Sequence, residues 1–202
     1  MADDPRVRIG HCSPDAPNVD VLVDGEPAFE DLGLGEMTDY ATLSTGRHDV
    51  AIQPAGGGEP VLETRLRLRG DKAYTALATG TLDDLEISTF TDDPGEVPPD
   101  VAHVRFIHAS PDAPKVTVGV RDGPDVFERI RFRTASDFEA VEAGTYDLDV
   151  RPSREDEVVL SLEDTDLAGG SAYTIVAVGQ VSEDTLEALV IEEEKVELAA
   201  DD

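Results

Sequence analysis

An all-β fold of two tandem sandwiches is predicted from three features of the sequence: a long internal repeat, a hydrophobic period of two, and turn residues at regular intervals. The repeat is Val7-Arg-Ile-Gly-His11-Cys-Ser13-Pro14-Asp15-Ala16-Pro17, which returns as Val104-Arg-Phe-Ile-His108-Ala-Ser110-Pro111-Asp112-Ala113-Pro114. A match of this length marks a duplicated unit. It continues at nearly constant spacing. Thr38-Asp39-Tyr40 returns as Ser136-Asp137-Phe138, Gly46 with Asp49 and Pro54 as Gly144 with Asp147 and Pro152, and Ala73-Tyr74-Thr75 with Gly80 as Ala172-Tyr173-Thr174 with Gly179.

The elements follow in chain order. Val7 and Ile9 alternate with polar neighbours, predicting a strand over 6–12, and Val19, Val21 and Val23 predict the next over 19–24. A third is placed near 37–43, around the repeated Thr38-Asp39-Tyr40. Val50 and Ile52 give 47–54; Leu62, Leu66 and Leu68 give 61–69, with Gly56-Gly57-Gly58 as the hairpin tip between them. Ala73-Tyr74-Thr75 opens 72–80, and Leu82 to Phe90 reads as strand over 85–90. Equivalents follow in the second half, where Val116, Val118 and Val120 repeat the alternation; Ser182 to Ile191 comes nearest to helical spacing. About seven short strands per hundred residues specify sandwiches of immunoglobulin-like architecture. The predicted boundaries are 1–90 for the first sandwich, 91–100 for a proline-rich acidic linker permitting some relative motion, 101–191 for the second sandwich and 192–202 for an acidic end with little to bury.

Val, Ile, Leu and Phe number 22, 7, 17 and 6 in 202 residues, well above the ~20 % below which highly charged chains stay disordered. Acids outnumber bases 45 to 16, a net charge of −29, which disfavours nucleic acid and anionic membrane surfaces. Only Lys72, Lys115 and Lys195 are lysines, a composition suited to molar salt. Screening shortens from about 10 Å at 0.1 M to about 3 Å at 1 M and relieves repulsion among the carboxylates. The melting temperature is therefore expected to rise between 0.1 M and 2 M KCl; a flat or falling curve would contradict this. No run of apolar residues is long enough to span a bilayer, and Met1-Ala-Asp-Asp-Pro5 lacks the basic and apolar regions of an export signal. The chain is expected to be soluble, and extracellular or surface-bound if a leader was removed, cytoplasmic otherwise.

His11, Ser13 and Asp15, repeated as His108, Ser110 and Asp112, contain the parts of an acyl-transfer triad. Their spacing suits a turn better. Ser and Asp bond local amides, Pro14 or Pro111 fixes φ, and Pro17 or Pro114 ends the turn. A divalent cation would collect His11, Asp15, Asn18 and Asp20, but Lys115 and Thr117 replace the last two in the second copy, so no metal or other cofactor is expected. Gly10 and Gly119 lie inside strands and predict bulges or close backbone approach. Cys12, replaced by Ala109 in the second copy, is expected to be half-buried and unreactive. Arg65, Arg67 and Arg69 alternate on one face and with Arg8 would form a basic island, paired with surrounding acids. Tyr146, after the turn glycine Gly144, has the setting of a corner tyrosine; His48 stands in that place after Gly46.

The His-x-Ser-Pro-Asp-Ala-Pro copies, the Thr/Ser-Asp-Tyr/Phe segment with Asp39 and Asp137, the glycine turns and the strands opening on Tyr74 and Tyr173 resemble the domain-of-unknown-function family DUF4397 over nearly the whole chain. The resemblance implies tandem β-sandwich modules, often haloarchaeal, of exported or envelope-associated proteins with no established activity. A non-enzymatic adhesion, display or interaction role follows, with a protein or envelope partner engaged by sheet edges or loops. The alternatives are a hydrolase using the His-x-Ser-x-Asp cluster and a cytoplasmic interaction scaffold. A sugar-binding module is disfavoured, because tryptophan is absent and aromatics are 5 % of the chain.

Overall fold

The computed structural model describes residues 4–193. Its first half contains β1 (Arg6–Cys12), β2 (Val19–Val23), β3 (Glu26–Leu32), β4 (Ala41–Thr42), β5 (Gly46–Pro54), β6 (Leu62–Leu68), β7 (Ala73–Thr79) and β8 (Glu86–Asp92), with a 3-10 turn at Leu82–Asp84. The second half contains β9 (Val101–His108), β10 (Val116–Val120), β11 (Asp125–Ile130), β12 (Thr134–Ala135), β13 (Glu139–Glu142), β14 (Gly144–Pro152), β15 (Leu160–Leu167), β16 (Ala172–Val178) and β17 (Glu187–Glu192). Each half is a two-sheet sandwich. The first pairs β4-β1-β7-β8 with β3-β2-β5-β6; the second pairs β12-β9-β16-β17, with β13 also on β9, against β11-β10-β14-β15.

The alternation read from the sequence places the core. Val7, Ile9, Val19, Val21, Val50, Ile52 and Leu68 fill the first sandwich, and Val104, Phe106, Val116, Val118, Val150 and Ile175 the second. The connectivity departs from the immunoglobulin order, in which one sheet holds strands ABED and the other CFG, since the first two strands lie in different sheets. Here β1 runs parallel to β7, and β9 parallel to β16.

The missed strands are β3 and β11. Glu26–Leu32 contains Pro27 and turns mostly to solvent, so only Phe29 and Leu32 enter the core, and bulges against β2 break the alternation. The strand expected over 37–43 shrinks to Ala41–Thr42 plus a bridge from Met37 to Gly10. The near-helical stretch at Ser182–Ile191 becomes β17, paired to β16 from Tyr173↔Glu192 to Val178↔Glu187.

β7 and β16 are buried along their full length because each is covered on both faces. Tyr74, Ala76 and Ala78 point into the first core, while Leu77 meets Cys12, Ile107, Ala109, Val176 and Val178 in a third cluster between the sandwiches. The two inner sheets thus pack on each other, giving four stacked layers. Arg133 also crosses the junction, donating to Thr79 O at 3.1 Å and pairing with Asp84 at 3.0 Å.

The segment expected to be a linker from residue 91 begins two residues later in the structure. Thr91 and Asp92 belong to β8, and Asp92 is buried. The remainder is tied down: His103 Nδ1 meets Pro94 O at 2.7 Å, and Gly170 N donates to Pro98 O at 3.1 Å. The acidic end also needs correction at its start, since Glu192 closes β17 and Glu193 is buried; residues 194–202 lie outside the described residues. Gly119 carries the expected bulge, whereas the close approach at Gly10 is by the side chains of Leu77 and Met37 and not by backbone. A Cβ on Gly10 would stand 2.7 Å from Leu77, and the β10–β11 register shifts at Gly119.

Candidate functional site

The repeated heptapeptide leaves the end of β1 or β9 with its histidine on the core-facing side. His11 and His108 are each 1 % exposed, and Ser13 and Ser110 are fully buried. His11 Nε2–H donates to Pro17 O at 3.0 Å and Nδ1 accepts from the Ser13 amide at 3.2 Å, which fixes a neutral tautomer. His108 Nε2–H donates to Pro114 O at 3.0 Å, while its buried Nδ1 has no partner.

The serine hydroxyls turn away from the imidazoles, to Asp15 at 3.4 Å and Asp112 at 3.3 Å. The aspartates then reach across to another loop. Asp15 accepts from Leu82 N at 2.9 Å, and Asp112 from Val181 N at 2.9 Å and Ser182 N at 2.8 Å. Pro14, Pro17, Pro111 and Pro114 shape the turn these bonds close. Each copy is a lock joining two loops at one end of a sandwich, and no serine–imidazole pair exists to generate a nucleophile.

Burial holds the pKa of both His11 and His108 below the usual imidazole range, despite the raising effect of the proline carbonyls. Burial alone would raise Asp112, but bonds from the Ser182 side chain and amide and from the Val181 amide outweigh it and keep the carboxylate ionised. The sign for stability follows. A histidine whose folded pKa is depressed contributes fully above its unfolded value of about 6.5. Below that value the unfolded chain takes up a proton the fold resists. His48 works oppositely: its bond to Ser44 O raises its pKa, as does Asp24 against the effect of burial, and its contribution is lost only as pH rises. Urea unfolding free energy is therefore expected to fall from pH 6.5 to 5.5, and His108→Gln to flatten that fall; an unchanged slope would contradict the assignment.

The residues gathered for a cation do not converge. Asn18 donates to Asp31 at 2.9 Å, Asp20 accepts from Asp31 N at 2.9 Å and Gly56 N at 3.0 Å, and His11 and Asp15 serve the lock. Cys12 is fully buried, not half-buried, and burial pushes its thiol up to about 12.

The family model for the domain of unknown function DUF4397 matches residues 5–119 and 102–202. The chain belongs to the DUF4397 family. No curated protein matches it. Among solved structures it is similar to CBMbc, a family CBM26 module of Eubacterium rectale Amy13K crystallised with maltoheptaose, at 9 % identity and a TM-score of 0.31 over 95 % of this chain and 98 % of that one.

The remaining repeated residues of this DUF4397 pair hold corners. Tyr146 donates to Glu142 O at 2.8 Å, and His48 Nε2–H makes the same i−4 bond to Ser44 O at 2.8 Å, so the imidazole completes in the first copy what the sequence left half present. Gly46 and Gly144 open the strands behind these corners. A second corner lies at Tyr74 and Tyr173, whose hydroxyls accept the Arg69 and Ala168 amides at 3.2 and 3.1 Å. Asp39 and Asp137 offer only their carbonyls, to Thr38 and Ser136, whose hydroxyls in turn accept the Ile9 and Phe106 amides of β1 and β9.

What sequence reasoning missed is a buried ionic network between the two DUF4397 domains. Arg8 donates to Thr75 at 2.8 Å and reaches Glu193 of the second sandwich at 2.6 Å; Arg105 donates to Thr174 at 2.8 Å and reaches Asp92 of the first. Tyr40 joins the carboxylates, donating to Asp92 at 2.7 Å, and Arg8 and Arg105 sit 4.8 Å over the rings of Tyr40 and Phe138. Arg8 thus leaves the expected basic island, in which Arg65 pairs with Asp49 at 2.7 Å. The available signal was arginine at the same place in both repeats, Arg8 and Arg105, followed by aromatics at Tyr40 and Phe138.

Proposed function

We propose that this tandem is a non-enzymatic binding or structural module of a high-salt organism, placed at the cell envelope and engaging a protein or envelope component through sheet edges or loops. The observation that carries the non-enzymatic reading is the fate of the heptapeptide: in both copies its serine is fully buried and its imidazole is bonded to backbone. The outer sheets end in β3, β6, β11 and β15, which offer unpaired backbone groups to a partner strand. Among the described residues no helix is long and apolar enough to cross a membrane. The acidic surface supports the high-salt setting.

A fluorophosphonate probe is expected to leave Ser13 and Ser110 unlabelled in the native protein. Stoichiometric labelling of either would overturn the reading in favour of a hydrolase. Placement is tested by surface labelling of intact native cells, where an unlabelled, lysis-dependent protein would favour the cytoplasmic scaffold.

A further inference from the structure

In a chain with 45 acids and 16 bases, every cation has a surplus of potential partners. Arg8, Arg65, Lys72, Arg105, Arg121, Arg133 and Arg151 all take carboxylates. Lys115, Arg129, Arg131 and Arg154, like Arg47, Arg67 and Arg69, enter no ion pair with the described residues, and the strand register brings the first four together. Val116 lies opposite Ile130 of β11 and Pro152 of β14. Lys115 precedes Val116, Arg129 and Arg131 flank Ile130, and the Ser153 amide donates to Lys115 O at 2.8 Å one residue before Arg154. All four side chains are exposed. They sense one another: Arg131 first, then burial, Arg129 and Arg154 lower the Lys115 pKa.

The first copy shows that the backbone does not require these charges. Val19 lies opposite Leu32 and Pro54, so the equivalent positions hold Asn18, Asp31, Gly33 and Gly56. Asp31 occupies the left-handed region at φ 57°, a conformation aspartate tolerates; its counterpart Arg129 holds φ 60°. The same loop framework carries one carboxylate, one amide and two glycines in one domain and four clustered cations in the other. Local arrangements that oppose stability without structural need mark functional positions.

We propose that Lys115, Arg129, Arg131 and Arg154 form a binding site for a compact tetrahedral oxyanion, phosphate or sulfate, free or as a terminal ester. Arginine forks match such oxygens two at a time. An extended polyanion would meet the −29 body, whereas a compact dianion feels mainly charges within the screening length of about 8–10 Å. The ligand class rests on the binding-module reading above; the serine labelling tests that reading independently, so the two can fail separately.

The test is calorimetric titration of the full chain with inorganic phosphate, sulfate and methyl phosphate at fixed KCl. One saturable site is expected, weakened roughly tenfold or more, ~1.4 kcal/mol, by Arg129→Gln with Arg131→Gln. Arg67→Gln with Arg69→Gln, at the end of β6 and just after it, is the control and is expected to bind normally, with both variants melting as the parent does. Methyl phosphate binding as well as phosphate assigns a terminal ester; phosphate or sulfate binding alone assigns the free ion. Absence of saturable heat with all three probes, or equal losses in the two double variants, would overturn the site.

Discussion

Arg105→Ala is expected to destabilise the full chain by about 3–5 kcal/mol, the usual cost of removing one partner from a buried ion pair. Asp92 and Glu193, each 6 % exposed, share two arginines, and Arg105 lies against both of them. Its loss leaves two carboxylates and the Tyr40 hydroxyl around Arg8 alone, in a largely buried place. Arg8→Ala should cost a similar amount, because the arrangement is reciprocal. Replacing Arg8, Arg105, Asp92 and Glu193 together by apolar residues of similar volume is expected to recover most of the loss, since the penalty comes from uncompensated charge and not from a large net worth of the pairs. Urea unfolding followed by circular dichroism measures all three. A loss below about 1 kcal/mol for Arg105→Ala, the value of a surface pair, would show that solvent reaches the junction.

Gly179→Ala is the second large effect, expected at about 2–3 kcal/mol from backbone strain and steric conflict. Gly179 holds φ +92°, and a Cβ there would stand 2.1 Å from Thr185 O. Its repeat partner Gly80 holds φ +98° with Asp84 O at 2.3 Å from the same point, so Gly80→Ala should behave alike. Both glycines end the central strand just before the loop gripped by Asp15 or Asp112, so the strain falls on the loop end of each sandwich. Gly25→Ala is the contrast: it also has positive φ, but nothing lies within 4 Å, and only the smaller conformational cost remains. Equal melting temperatures for Gly179→Ala and Gly25→Ala would refute the steric account.

The internal repeat and the alternation of Val7, Ile9, Val19, Val21, Val50 and Ile52 made the sandwich legible, because a strand buried on one face writes its environment at every second residue. β3 escaped because an edge strand that buries only Phe29 and Leu32 writes too little. β7 held a further signal that went unread: Ala73–Thr79 carries no charged side chain, as suits a strand covered on both sides. The junction itself was hidden, since arginine and glutamate read as surface residues whenever their partners are distant in sequence. At the heptapeptide, local chemistry made the turn readable from Ser13, Pro14 and Asp15, but the grip of Asp15 on Leu82 and of Asp112 on Ser182 spans another loop and needed the fold.

The parallel pairing of β1 with β7 has a consequence for synthesis. Arg8 meets Thr75 across 67 residues and Glu193 across 185. A nascent chain leaving the ribosome carries its first strand with only the short β4 and the Met37 bridge beside it until β7 emerges, and carries Arg8 without its carboxylate until β17 has followed. Long-range closure of this kind slows folding and leaves a sheet surface open in the meantime. The first half alone is expected to leave Cys12 and Leu77 uncovered until the second half arrives to cap them.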